Sequence, residues 1–103
     1  MSDAPEPEDC LTMAQVRAGV DEVDEAIVSL ITMRFGYMDA AARIKSDRTE
    51  VRDDARKADV LAKVDEAADE AEIDRELIAR IYEDLIETSI AHELGRWDFI
   101  RAG

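Results

Sequence analysis

From Met13, apolar side chains recur at alternating steps of three and four: Met13, Val16, Val20, Val23, Ile27, Leu30, then Tyr37, Ala41 and Ile44. Side chains at this spacing share one face of an α-helix, so the pattern predicts a single helix from about Leu11 to about Ser46. At about 1.5 Å per residue, such a helix extends roughly 50 Å. A compact chain of this size is only about 26 Å across. The helix must therefore project beyond its own core, and a second copy of the chain is the simplest cover.

Asp47 to Asp53 reads as a polar connection, and Asp53 or Asp54 as the cap of a second helix running to about Ala71. A carboxylate at that position accepts bonds from the free N–H groups of the first turn. Val60, Leu61, Val64, Ala67 and Ala68 form its weak apolar stripe, and Asp65, Glu66, Asp69, Glu70 and Glu72 form a solvent-facing charge run. A turn near Glu72 to Asp74, capped by Asp74, leads to a third helix over about Arg75 to Ile100. Its apolar face holds Ile78, Ile81, Tyr82, Leu85 and Ile86, and the same row then turns polar at Ser89 and Glu93. No segment alternates with the period of a strand. The fold class is all-α, with three helices and a long first one.

Position 34 breaks the first seam. The slot between Leu30 and Tyr37 holds Arg34, and an inward-facing guanidinium has to be met by an anion. Its flat fork of donors suits a carboxylate, either of a neighbouring helix or of a ligand. Lys45 lies 11 positions on, three turns plus roughly 20°, so it falls on the same stripe. Arg17 lies about 100° around the axis and some 25 Å along it, out of reach of the same pocket but able to serve that of an antiparallel partner. Arg56 stands in the first turn of the second helix, close in sequence to the Lys45 end. The plain alternative for each is local: Arg17 paired with Asp21, Arg56 with Asp59 or Asp53, Ser89 bonded to its own helix backbone, Glu93 paired with Arg96. Trp97, on the next turn, reads as a packing residue.

Charge and composition narrow the partners. Acidic residues outnumber basic ones 26 to 13 over 103 residues, a formal charge of −13. That surface repels nucleic acid and anionic membrane. Convergent cations in so acidic a chain suit a small ligand with more than one carboxylate. Cys10 is the only cysteine, which excludes an internal disulfide, and a single histidine, His92, argues against a zinc site. Residues 1–10 hold both prolines and lack the parts of a secretory signal. They are expected to form a flexible arm before one domain over 11–103, in a cytoplasmic protein.

In order and spacing these residues resemble the all-α chorismate mutases, including the related isochorismate pyruvate lyases. The resemblance runs from about Glu8 to Trp97. It is carried by Arg17, Asp21-x-x-Asp24, Arg34 and Lys45, by Val51-Arg52-Asp53 followed by Arg56, and by Ser89-x-x-x-Glu93. The Glu8-Asp9-Cys10 stretch is similar to the lyase branch. The resemblance implies an intertwined homodimer of the chorismate mutase II type with two buried, shared active sites and no cofactor or metal. By matching position, Arg17 from the partner with Arg34 and Arg56 would hold the substrate carboxylates. Ser89 would support a carboxylate, Asp53 would lie near the ring hydroxyl, and Lys45 and Glu93 would contact the ether oxygen. Arg34, Lys45 and Glu93 would be the catalytic set.

Two positions depart from the family pattern. Many bacterial relatives have glutamine where Glu93 stands. A carboxyl group donates only when protonated, so activity is expected to fall as pH rises. Lys57 stands where the mutases often place a glutamate that helps bind the ring hydroxyl. The expected activity is the rearrangement of chorismate to prephenate. The alternatives are isochorismate pyruvate lyase and a non-catalytic helical dimerisation module.

Overall fold

The computed structural model describes residues 4–102, and the regular elements among them are helical. Three α-helices, α1 (Met13–Ile44), α2 (Asp54–Glu70) and α3 (Arg75–Arg101), follow the order and lengths read from the sequence. Of two short 3-10 turns, Pro7–Asp9 precedes α1 and Arg48–Glu50 lies between α1 and α2. The first lies in the segment expected to be an arm, whose residues 1–3 are outside the described residues.

Each helix end has a local cause. Before α1, the Thr12 hydroxyl accepts from the Gln15 amide at 3.2 Å, while the Gln15 side chain accepts from the amides of Leu11 and Thr12 at 2.7 and 3.2 Å. This reciprocal cap starts the helix at Met13 rather than Leu11. Asp53 caps α2 through the Arg56 amide at 3.0 Å, and Asp74 caps α3 through the amides of Glu76 and Leu77. The end of α2 closes on itself: the Ile73 amide returns to the Ala68 carbonyl and the Glu72 amide to that of Asp69. That pattern needs a left-handed residue at the turn, usually glycine. Here it is Glu72, at φ 59°.

The chain divides into two compact units within α1, after Arg34. In the N-terminal unit, residues of the predicted seam stand open in the single chain: Val20, Val23, Ile27 and Leu30 are 51, 57, 46 and 64% exposed. A hollow of about 460 Å³ lies between the N-terminal segment (Ala4, Pro5, Cys10) and α1 (Val16, Val20, Val23). Its described lining also includes Glu6, Glu22 and Asp24 and none of the basic site candidates.

In the second unit α2 packs on α3, side chains of α3 reach the end of α1, and the buried apolar residues are Ala42, Val51, Ala68 and Ile86. Val51 is buried although it lies in the connection read as polar. On α3, Ile86 is buried and Ile78, Tyr82 and Leu85 partly so, but Ile81 is 55% exposed. Eight positions separate Ile81 from Ser89, about 80° around the axis, which puts Ile81 at the edge of the stripe. Charged ties reinforce the packing. Lys57 of α2 donates to Glu83 and Glu87 of α3 at 2.6 and 2.8 Å, and Arg52 grips the same Glu87. These partners hold the Glu87 carboxyl at about 2, Arg52 contributing most.

Candidate active site

Glu93 and Ser89 are the two buried polar side chains of the described chain, one turn apart on α3. A buried carboxylate needs a positive or hydrogen-bonding partner, and Glu93 has one: the Lys45 ammonium, 2.8 Å from its Oε2. The Lys45 side chain is 27% exposed and that of Glu93 only 5%. The pair therefore opens to solvent from the lysine side. Lys45 also lies 3.5 Å from the Val51 carbonyl, so the connection after α1 forms part of the wall.

Lys45 is the first residue past α1. Its amide closes the last turn on Ala41 at 2.9 Å. Its carbonyl accepts from Trp97 Nε1 at 3.0 Å and from the Arg101 guanidinium at 2.7 Å, both on α3. Trp97, read from the sequence as packing, is thus also a donor. Its ring carries the Arg101 guanidinium 4.1 Å from the centroid. Beside Glu93, His92 meets Asp39 of α1 at 2.7 Å and stacks on Phe35 with centroids 4.8 Å apart. Arg48 forks onto Asp98 at 2.8 and 3.1 Å, which raises the Arg48 pKa and lowers that of Asp98 through their shared hydrogen bonds.

The remaining candidates divide. The Ser89 hydroxyl donates to the Leu85 carbonyl of its own helix at 2.6 Å, the local bond foreseen as its plain alternative. Asp53 acts as the α2 cap, and Arg56 pairs with Asp59 one turn along the same helix. Arg17 and Arg34 belong to the N-terminal unit, Arg17 exposed and Arg34 partly buried. Glu93 pairs with Lys45, and the Arg96 guanidinium lies 5.2 Å over the Phe99 ring. Among the described residues no cluster of three or more histidine, cysteine or carboxylate side chains could hold a metal ion. No helix of the described residues is long and apolar enough to cross a membrane.

Lys45, just past the end of α1, thus meets the buried Glu93 of α3, with the buried Ser89 one turn from the carboxylate. Comparison with known proteins extends this: residues 16–94 match the family of type II chorismate mutases. The chain belongs to that family. It is also 29% identical over 91 residues to the isochorismate pyruvate lyase of Pseudomonas aeruginosa, an alignment covering 88% of this chain and 90% of the lyase. The matched region includes every residue proposed for the site, from Arg17 to Glu93.

Arg101, Trp97 Nε1, His92–Asp39 and Arg48–Asp98 were not anticipated as parts of the site's frame. One sequence signal was available for two of them. Glu93, Trp97 and Arg101 stand at four-residue steps on α3 and so share its face.

Proposed function

We propose that this protein is a chorismate mutase, converting chorismate to prephenate in two active sites shared by an intertwined homodimer. The reaction is a concerted pericyclic step: one carbon–oxygen bond breaks, one carbon–carbon bond forms, and nothing is gained or lost. It needs no nucleophile, so the protein's contribution is conformation and charge. Arg34 and Arg56 of one chain, with Arg17 of the other, clamp the two substrate carboxylates and fold the enolpyruvyl arm over the ring. Negative charge grows on the ether oxygen as its bond stretches, and the Lys45 ammonium stabilises it. Only contacts that strengthen in that state raise the rate.

The observation that carries the reading is the Lys45–Glu93 pair, held at 2.8 Å with the carboxylate nearly sealed, in a chain of the type II chorismate mutase family. The exposed seam of α1 supports the dimer, because Val20, Val23, Ile27 and Leu30 need cover that the single chain does not supply. In that dimer Arg56 exchanges Asp59 for substrate, an exchange that costs little for an exposed helix pair.

A second reading has its own support. The likeness to the Pseudomonas lyase covers most of both chains, and the Glu8-Asp9-Cys10 stretch is similar to the lyase branch. In that case isochorismate would lose its side chain as pyruvate and leave salicylate in the same pocket. The experiment is to supply purified protein with chorismate and isochorismate in turn and identify products by NMR. Prephenate as the main product supports the mutase; salicylate with pyruvate overturns it in favour of the lyase. No turnover of either leaves a helical dimerisation module.

A further inference from the structure

The Lys45 ammonium is only as well aimed as the backbone that carries it. Lysine hangs its charge on a flexible four-carbon stem, and Lys45 stands where the chain leaves a helix, a place where backbone order usually frays. The last carbonyls of a helix also lack partners within it. At the end of α2 the backbone supplies them through the Glu72 turn. At the end of α1 they come from another helix.

Arg101 spans one of those carbonyls and the one just past the helix with one planar group: Nη1 donates to Ala42 at 3.0 Å and Nη2 to Lys45 at 2.7 Å. Trp97 Nε1 adds a second donor to the Lys45 carbonyl at 3.0 Å. The guanidinium rests on the Trp97 ring, so the two donors brace each other. A cation at a helix C-terminus is also favoured by the helix dipole. Asp98, between them in sequence, holds Arg48 in the 3-10 turn that follows. The same face of α3 carries Glu93, which receives the Lys45 ammonium. One helix therefore grips Lys45 at both ends: the carbonyl through Trp97 and Arg101, the ammonium through Glu93.

We propose that Trp97 and Arg101 are positioning residues that aim Lys45, by fixing its backbone carbonyl on the α3 face whose Glu93 receives its ammonium. Neither needs to touch substrate. Their effect on rate rests on the mutase reading, but their effect on Lys45 does not. Displacement of a reacting group by about 1 Å can cost on the order of a hundredfold in rate. Loss of either donor is therefore expected to lower kcat about tenfold or more while KM changes little.

The test uses the full chain with Trp97→Phe, which keeps a ring and loses the N–H, with Arg101→Gln, and with Arg101→Lys, which keeps the charge and loses the fork. The chain has three lysines, Lys45, Lys57 and Lys63. NMR of the labelled lysine Nζ groups therefore resolves Lys45, assigned by its loss in Lys45→Arg. The expected result is that the Lys45 signal in Trp97→Phe and Arg101→Gln moves toward its position in Glu93→Gln, with Lys57 and Lys63 unmoved. Arg101→Lys is expected to fall between Arg101→Gln and the parent. A Lys45 signal unchanged in Trp97→Phe overturns the proposal, and that variant decides alone if Arg101→Gln does not fold. A rate that falls only with the folded fraction overturns it as well. If the parent turns over neither chorismate nor isochorismate, the mutase reading fails, while the lysine signals still decide whether the clasp exists.

Discussion

Lys45 donates to Glu93 across 2.8 Å, and the carboxylate that receives the bond is almost sealed from water. An ionised carboxylate only accepts hydrogen bonds, whereas a glutamine amide in the same place also donates. In the proposed mutase a donor at position 93 would help Lys45 stabilise the ether oxygen. Glu93→Gln is therefore expected to raise kcat/KM for chorismate at pH 8 by about tenfold, below the full worth of one oxyanion donor. An equal or lower kcat/KM for the variant would count against a donor role for position 93.

Removing the ammonium tests structure and catalysis together. Lys45→Ala leaves a buried carboxylate without its partner and should cost about 1–3 kcal/mol in denaturant unfolding. Adding Glu93→Gln should restore much of that stability without restoring turnover. Arg34→Ala should abolish turnover while the dimer persists. Activity in the stabilised double variant would make the pair structural only.

The seam of α1 gives a prediction about assembly. Ile27 is 46% exposed in the single chain, where a polar replacement should change stability by no more than about 0.5 kcal/mol. In a dimer that buries the seam, Ile27→Asp strands a charge between helices. Sedimentation should show a dimer for the parent and a monomer for the variant. Equal sedimentation of both would remove Ile27 from the interface.

Glu72 holds a left-handed conformation at the end of α2. Glycine adopts it without the steric cost of a Cβ, of roughly 1–2 kcal/mol, although it is more disordered when unfolded. Glu72→Gly should stabilise the protein by about 0.5–1 kcal/mol, read as a rise in Tm.

Glu87 sets an acid limit. Its carboxyl, bonded by Arg52 and Lys57, titrates near 2 rather than at its ordinary 4.5. A carboxyl with a lowered folded-state value adds stability that is complete above the ordinary value and is lost as pH falls through the lowered one. The parent should therefore lead Glu87→Gln in stability at neutral pH, and the lead should shrink between about pH 4.5 and 2. A lead that is constant across that range would show that the network does not report through this carboxyl.

Local chemistry explains what was legible beforehand. Asp53 and Asp74 cap the helices they precede, and Arg56 pairs with Asp59. Ser89 bonds back to Leu85. All of these lie within four positions, where helical geometry alone brings partners together. The frame around Lys45 is of another kind. Asp39 and His92 are 53 positions apart, Lys45 and Glu93 48, and Lys45 and Arg101 56. Separation in sequence carries no register between helices, so Lys45 and Glu93 were expected to share a pocket but not to pair with each other. Arg101 was marked only by its four-residue step from Trp97 on the Glu93 face of α3.

By itself the sequence determined that the chain is three helices, where two of them are capped, and that α1 carries an apolar seam its own core does not cover. Those properties depend on periods of three and four residues and on side chains acting within one turn. Tertiary packing alone decided that Glu93 faces Lys45 rather than Arg96, and that the end of α1 is completed by side chains of α3. Such pairings follow from how one helix is rotated and shifted against another. That docking is set by the sum of many small side-chain contacts in Ala42, Val51, Ala68 and Ile86 rather than by any local motif.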